Sequence, residues 1–187
     1  SAEKVAEIKA QWGLDEPPVV QYFYWLKNVL QGDFGTSISL KQSVSQLILQ
    51  RLPYTLMLTG AALLIEYVIA IPLGLLAAVR KGKLTDKTLT VLTIVLWSMP
   101  PFWLGVLFIL TFSIWLGILT ISGWSGLTSL ILPAFTLALP SLAQIFRLTR
   151  SEVLDVLDEK YVTTAYAKGL KNKIVLVKHV LRNAMIP

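Results

Sequence analysis

Few side chains in this sequence could do chemistry, and they lie far apart. Glu66 is the only charged residue between Tyr54 and Val79, His179 is the only histidine, and there are no cysteines. A carboxylate within a long apolar run is costly, so such residues usually face a cavity or a partner. Glu66 is therefore a candidate for contact with a cation or an amino group, or for a gating hydrogen bond. The structural alternative is a neutral glutamic acid that fixes helix packing.

The sequence gives little support for a metal site or a catalytic site. The absence of cysteine excludes disulfides and thiolate metal sites, and His179 has no second ligand within helical reach except Asn183, so we predict no metal site. Neither a glycine-rich phosphate-binding motif nor a Gly-x-Ser-x-Gly motif occurs, and the apolar runs lack paired carboxylates. We therefore predict no catalytic residues.

The elements that carry these residues are apolar and long. Of 187 residues, 55% are hydrophobic and 15% are charged, which is more apolar than an ordinary soluble chain. Three runs are long enough to cross a bilayer as helices, at about residues 54–79, 89–119 and 128–146. The sequence thus predicts an all-α, polytopic membrane protein with a transmembrane core over residues 54–146.

The second run is longer than a perpendicular helix needs, so a tilt or a break is expected. Pro100 and Pro101 supply the break, because a proline ring removes a backbone donor and clashes with the preceding turn. The hydroxyl of Ser98 could help to satisfy the freed carbonyls. A hinge for alternating access and a static kink are both compatible with this pattern, so Ser98, Pro100 and Pro101 are candidates for pathway or gating residues.

The first 53 residues are polar and mixed, and they indicate short helices and turns outside the lipid. Residues 22–25 form an aromatic run that suits an interfacial belt or contact with an external protein. Gly32 and Gly35 predict a turn. The chain begins at Ser1 without a methionine or an apolar leader, so we expect that it lacks its native start.

Residues 147–187 are predicted to be an amphipathic segment outside the bilayer. Leu154, Leu157, Tyr161 and Ala165 recur at helical spacing, and Gly169 falls where a helix would end. This pattern predicts a helix, a turn and a second helix. From composition alone, the segment could also be a basic helix that lies on anionic lipid.

The distribution of basic residues predicts the orientation. Residues 80–87 carry four Lys or Arg against one acid and residues 147–187 carry eight against four, whereas residues 1–53 balance five against five. Basic residues near span ends favour the cytoplasm. Residues 80–87 and 147–187 are thus expected inside and residues 1–53 outside. The high pI follows from this topology and does not indicate nucleic-acid binding.

Five motifs, in the same order along the chain, resemble those of permease subunits of binding-protein-dependent ABC importers. The resemblance is to the B-type subunit of the dipeptide, oligopeptide and nickel group. The motifs are Gly-Asp-Phe-Gly-Thr-Ser at 32–37, Arg-Leu-Pro-Tyr-Thr at 51–55, Ser-Met-Pro-Pro-Phe-Trp-Leu-Gly at 98–105, Leu-Pro-Ala-Phe-Thr-Leu-Ala-Leu-Pro at 132–140, and the tail residues 161–170 and 179–187. Lys160 and Tyr166 depart from the group's usual Asp and Arg.

The resemblance implies a type I importer fold, with three of an expected six spans present in this sequence. It also implies that the tail forms a coupling helix that docks on a cytoplasmic ATPase. The implied ATPase-coupling residues are Leu157, Tyr161, Thr164, Ala165, Lys168, Gly169 and Leu170.

The implied function is transport of peptides or nickel complexes across the cytoplasmic (inner) membrane of a prokaryote by a multi-pass, non-enzymatic subunit. The implied partners are a homologous second permease, two ATPase subunits, an extracytoplasmic solute-binding protein and membrane lipid, with no nucleic acid. ATP and Mg would be bound by the ATPase and no cofactor by this chain. The alternative function is a non-transporting membrane scaffold or assembly factor whose basic tail holds lipid or a partner.

Overall fold

The computed structural model describes residues 16–186, and its regular elements are helices throughout this range, with one isolated bridge between Thr36 and Ser43. The chain divides into two compact units, one ending at Leu56 and the other beginning at Met57. The predicted all-α fold class is confirmed.

In the first unit, helix α1 (Pro18–Leu30) is followed by a tightly bonded turn. Pro18 occupies the first helical position, where a missing backbone donor costs nothing. The predicted turn at Gly32 and Gly35 is confirmed, since both glycines have positive φ. The Asp33 carboxylate accepts the Gly35 backbone N–H at 2.9 Å, and the Ser45 hydroxyl donates to the Gly32 carbonyl at 2.9 Å.

Helix α2 (Val44–Val79) begins earlier than the first apolar run, which starts at Tyr54. The Val44 N–H donates to the Gly35 carbonyl at the end of the bridged turn, so the turn sets the helix start. Hydropathy marks where a helix can enter lipid, whereas the helix itself begins where its backbone is first bonded. The buried positions of α2 recur mainly every four residues and form one stripe: Ala62, Glu66, Ala70, Gly74, Ala77 and Ala78.

The second predicted span is broken where its prolines predict. Helix α3 (Leu84–Ser98) ends just before Pro100, and helix α4 (Pro101–Phe108) begins with the second proline. A π-helical segment, Ile109–Trp115, continues α4. The two halves meet at 99°, so the predicted break is confirmed.

Helix α5 (Ile131–Leu157) follows a 3₁₀ turn at Leu127–Leu130 and contains Pro140. It extends well past residue 146, the predicted end of the third span. Gly74 of α2 approaches α5 so closely that a Cβ there would lie 2.8 Å from Thr149 Cβ and 3.0 Å from the Phe146 carbonyl oxygen. A small residue at this contact is what allows the two backbones to approach.

The rest of the chain folds into short helices: α6 (Lys160–Ala167), α7 (Asn172–Ile174), a π-helical segment (Val175–Leu181) and α8 (Arg182–Ala184). By length and apolarity, Val44–Val79 and Leu127–Leu157 could each cross a membrane, and the bent pair α3–α4 could supply a third crossing. The chain is thus an integral membrane protein.

Candidate functional site

The short helices after α5 pack onto the ends of two spans through one apolar core. Its buried members come from the end of α2, from α5, from α6 and from the last helices: Ala78, Val153, Val162, Ala165, Val175, Val180 and Ala184. Three of them, Val153, Val175 and Val180, have no exposed surface. Close packing of this kind transmits displacement, because protein interiors are barely compressible. A force applied to α6 would therefore reach α2 and α5.

Gly169 ends α6 as the sequence predicts. Its φ is +77°, in the left-handed region that glycine adopts at low cost. The Leu170 N–H donates to the Ala165 carbonyl at 3.4 Å and the Gly169 N–H to the Tyr166 carbonyl at 2.9 Å, which is the Schellman pattern. A Cβ at Gly169 would meet nothing within 4 Å, so the backbone conformation alone requires glycine here.

Two side-chain hydrogen bonds fix α6 against the helices that follow it. The Tyr166 hydroxyl donates to Asn172 Oδ1 at 2.8 Å. The Asn183 amide donates to the Tyr161 hydroxyl at 2.9 Å and to the His179 carbonyl at 2.7 Å. Asn183 is thus a positioning partner for α6.

The predicted coupling residues do not form one outward stripe. Leu157 ends α5 and Tyr161 lies on α6, because the chain bends at residues 158–159. Ala165 is only 6% exposed and Leu157 packs against the same core, so both face into the chain. The amphipathic spacing thus marks the apolar core contact of this segment.

The outward face of α6 carries other predicted coupling residues. Tyr161, Thr164 and Lys168 are exposed and spaced i, i+3 and i+7, so they share one side of the helix and of its C-cap. Leu170 follows immediately after the turn and is 36% exposed. We call Tyr161, Thr164, Lys168 and Leu170 the α6 face. It exposes a phenol, a hydroxyl, an ammonium group and an apolar side chain.

An ion pair that the sequence patterns did not predict lies beside this assembly. Arg150 Nε donates to Asp86 Oδ1 at 2.7 Å, and Arg150 Nη2 donates to Asp86 Oδ2 at 2.8 Å. The Asp86 side chain is 6% exposed and that of Arg150 is 29% exposed. Oδ2 also accepts the Gly82 backbone N–H at 2.9 Å. The pair joins the first turn of α3 to α5. The only sequence signal was an acid within a basic loop, since its partner is 64 residues away.

Three predicted pathway residues meet at the helix break. A cavity of about 290 Å³ is lined by residues 97–101 of the break and by Pro140, Ser141 and Gln144 of α5. The Ser98 hydroxyl donates to the Ile94 carbonyl at 2.9 Å, which is local support for the interrupted helix. Ser98, Pro100 and Pro101 therefore lie together, opposite a third proline, Pro140.

Glu66 does not line this cavity. It is 8% exposed and lies in the buried stripe of α2, between Ala62 and Ala70. Within residues 16–186, no hydrogen bond or ion pair to its carboxylate is present. The burial of Glu66 is compatible with both predicted interpretations, contact with the transport pathway and helix packing.

Comparison with known proteins identifies the family. The family model described as "Binding-protein-dependent transport system inner membrane component" matches residues 70–187. Oligopeptide transport system permease protein AppB of Bacillus subtilis is 43% identical over 95% of this chain and 60% of its own length. A putative peptide transport system permease protein of Brucella abortus is 39% identical over 100% of this chain and 62% of its own.

Glutathione transport system permease protein GsiC of Salmonella choleraesuis is also 39% identical, over 100% of this chain and 61% of its own length. The chain spans about three fifths of the length of these relatives. The resemblance that the five motifs predict is confirmed, and the matched region includes every helix from α3 to α8. The chain belongs to the family of binding-protein-dependent transport system inner membrane components.

Proposed function

We propose that this chain forms part of the permease subunit of an ATP-driven importer that moves peptides across the cytoplasmic membrane. The observation that carries the proposal is the 39–43% identity, over at least 95% of the chain, to proteins named for oligopeptide, peptide and glutathione transport. Nickel complexes are the alternative cargo from the same group.

The geometry of α6 supports a coupling role within that proposal. The α6 face is exposed, while the opposite side of the helix is buried in a core shared with α2 and α5. A helix that docked on an ATPase would need this arrangement, with one face free for the partner and the other joined to the spans. We propose that ATPase subunits contact the α6 face and that their closure moves the ends of α2 and α5.

The remaining chemistry belongs to partner subunits. This chain is a non-enzymatic subunit, and two ATPase subunits bind ATP and Mg. A homologous second permease completes the pathway, and an external solute-binding protein delivers the peptide. The two or three candidate spans support a multi-pass arrangement of the subunit in the membrane.

The test uses the complete transporter in nanodiscs and in proteoliposomes. We expect the assembled permease to raise the ATP turnover of its ATPase when a peptide-loaded binding protein is added, and to import labelled peptide only with ATP. Nickel uptake without peptide uptake would reassign the cargo. Unchanged ATP turnover and no uptake of either cargo would instead favour a membrane scaffold.

A further inference from the structure

Helix α5 carries a row of three polar residues beside the cavity at the helix break. Ser141, Gln144 and Arg147 are spaced three residues apart on one side of the helix, next to Pro140. Ser141 and Gln144 are exposed and line the cavity at the helix break. The buried side of α5 is different, since it packs Leu142, Phe146 and their neighbours against α2. We call Ser141, Gln144 and Arg147 the polar stripe.

Arg147 is held at the rim of this cavity by Trp97. Its guanidinium carbon lies 4.4 Å from the centre of the Trp97 ring, and Trp97 lines the cavity. A cation–π contact of this kind attracts the guanidinium to the ring without neutralising its charge. Arg147 thus keeps a charged, bidentate donor beside the cavity.

Exposure of the polar stripe to lipid hydrocarbon would be unfavourable in free energy. An amide or a hydroxyl that meets lipid without a hydrogen-bond partner costs free energy, so such groups in spans face a cavity or protein. A lipid phosphate at the membrane surface would account for Arg147 alone, but not for Gln144 and Ser141, which lie progressively farther along the helix. The stripe as a whole fits a ligand with both a negative end and a polar body.

We infer that the polar stripe binds peptide in transit, with the C-terminal carboxylate on Arg147 and a backbone amide on Gln144 and Ser141. This inference rests on the proposed function. A guanidinium edge matches a carboxylate bidentately, and a side-chain amide both donates to and accepts from a peptide group. The rise from Ser141 to Arg147 is about 9 Å, which is roughly the length of an extended tripeptide.

The test compares two cargoes in proteoliposomes that contain the assembled transporter. One is a tripeptide with neutral side chains and a free C-terminus, and the other is the same tripeptide with a C-terminal amide. The variants are Arg147→Gln and Arg147→Lys, and the matched control is Arg182→Gln, an exposed arginine of α8. The same binding protein serves every sample, so its own preference cancels when variant and wild-type uptake ratios are compared.

We expect Arg147→Gln to lower uptake of the free-acid peptide about tenfold, because one charge-assisted contact is lost, and to leave amide uptake within about twofold. Arg147→Lys should recover part of the acid uptake, because it keeps the charge but loses the bidentate fork. Arg182→Gln should change neither cargo.

Three results would overturn the inference while leaving the proposed function intact. The first is an equal loss of both cargoes, or no loss of either, in Arg147→Gln. The second is a loss that follows the fraction of anionic lipid in the vesicles, which would assign Arg147 to a headgroup. The third is a loss of the second permease on copurification, which would assign the stripe to a subunit contact. If wild type imports neither peptide, the proposed function fails, and this inference fails with it.

Discussion

Removing either partner of the Asp86–Arg150 pair should destabilise the protein, but by unequal amounts. In Arg150→Met, the Asp86 carboxylate loses both guanidinium contacts and keeps only neutral partners, the Gly82 N–H and the Thr90 side chain, in a site where its side chain is 6% exposed. In Asp86→Asn, the amide keeps the shape of the carboxylate, and Arg150 is 29% exposed, so water can solvate its charge. The arginine variant should therefore be the less stable of the two.

The magnitudes follow from this difference in exposure. Breaking a buried pair so that one charge is stranded costs about 3 to 5 kcal/mol, and we expect the lower end for Arg150→Met because solvent reaches this site. Asp86→Asn loses charge-assisted hydrogen bonds without stranding a carboxylate, so we expect about 1 to 2 kcal/mol. The double variant strands neither charge, and its loss should match that of Asp86→Asn within about 1 kcal/mol.

The assay is denaturant unfolding of the purified protein in bicelles, followed by tryptophan fluorescence. The matched control is Lys87→Met, an exposed charge in the same turn of α3 that should change stability by no more than about 0.5 kcal/mol. Equal losses in the two single variants, or a double variant as unstable as Arg150→Met, would refute the reasoning that a stranded carboxylate sets the cost.

Three further substitutions test the helices. Gly74→Val should lower the folded yield strongly, because its Cβ would overlap α5, whereas Gly60→Val on the same helix should be tolerated because nothing lies within 4 Å of its Cβ position; equal yields would refute this close contact. Glu66→Gln should lower peptide uptake more than folded yield if the carboxylate faces the pathway, since the amide keeps the shape but cannot ionise; parallel losses would assign Glu66 to packing. Gly169→Val should cost about 1 to 3 kcal/mol of backbone strain and weaken ATPase association in pull-downs at matched membrane yield, with Ala167→Val as the control; normal association and uptake would remove α6 from the coupling role.

The parts of the fold that depend on local chemistry were predictable from sequence. Proline removes a donor wherever it stands, so the break at Pro100–Pro101 could be predicted without tertiary information, and the positive φ of Gly169 followed from its place after an amphipathic run. Helix ends that are set by backbone hydrogen bonding were harder to predict from sequence. The start of α2 at Val44 depends on a bridged turn, and hydropathy does not detect such a turn.

The candidate functional site could be predicted only in part from the sequence. Periodicity locates an apolar face but does not say what covers it, so Ala165 was assigned to a partner although the chain's own core buries it. Two features depend on contacts between residues far apart in sequence: the Asp86–Arg150 pair and the packing of the polar stripe against the helix break. Residue spacing does not predict contacts over such a separation. Tertiary packing decides these contacts.

Site-specific crosslinking from α6 tests the central claim most directly. The chain has no cysteines, so Thr164→Cys and Ala165→Cys each introduce one thiol, the first exposed and the second buried. With a short photoreactive maleimide in the assembled transporter, we predict an adduct between Thr164→Cys and the ATPase whose yield changes when nucleotide is added, and none from Ala165→Cys. A transporter that imports peptide normally yet gives no ATPase adduct from Thr164→Cys would contradict the assignment of the α6 face as the coupling surface.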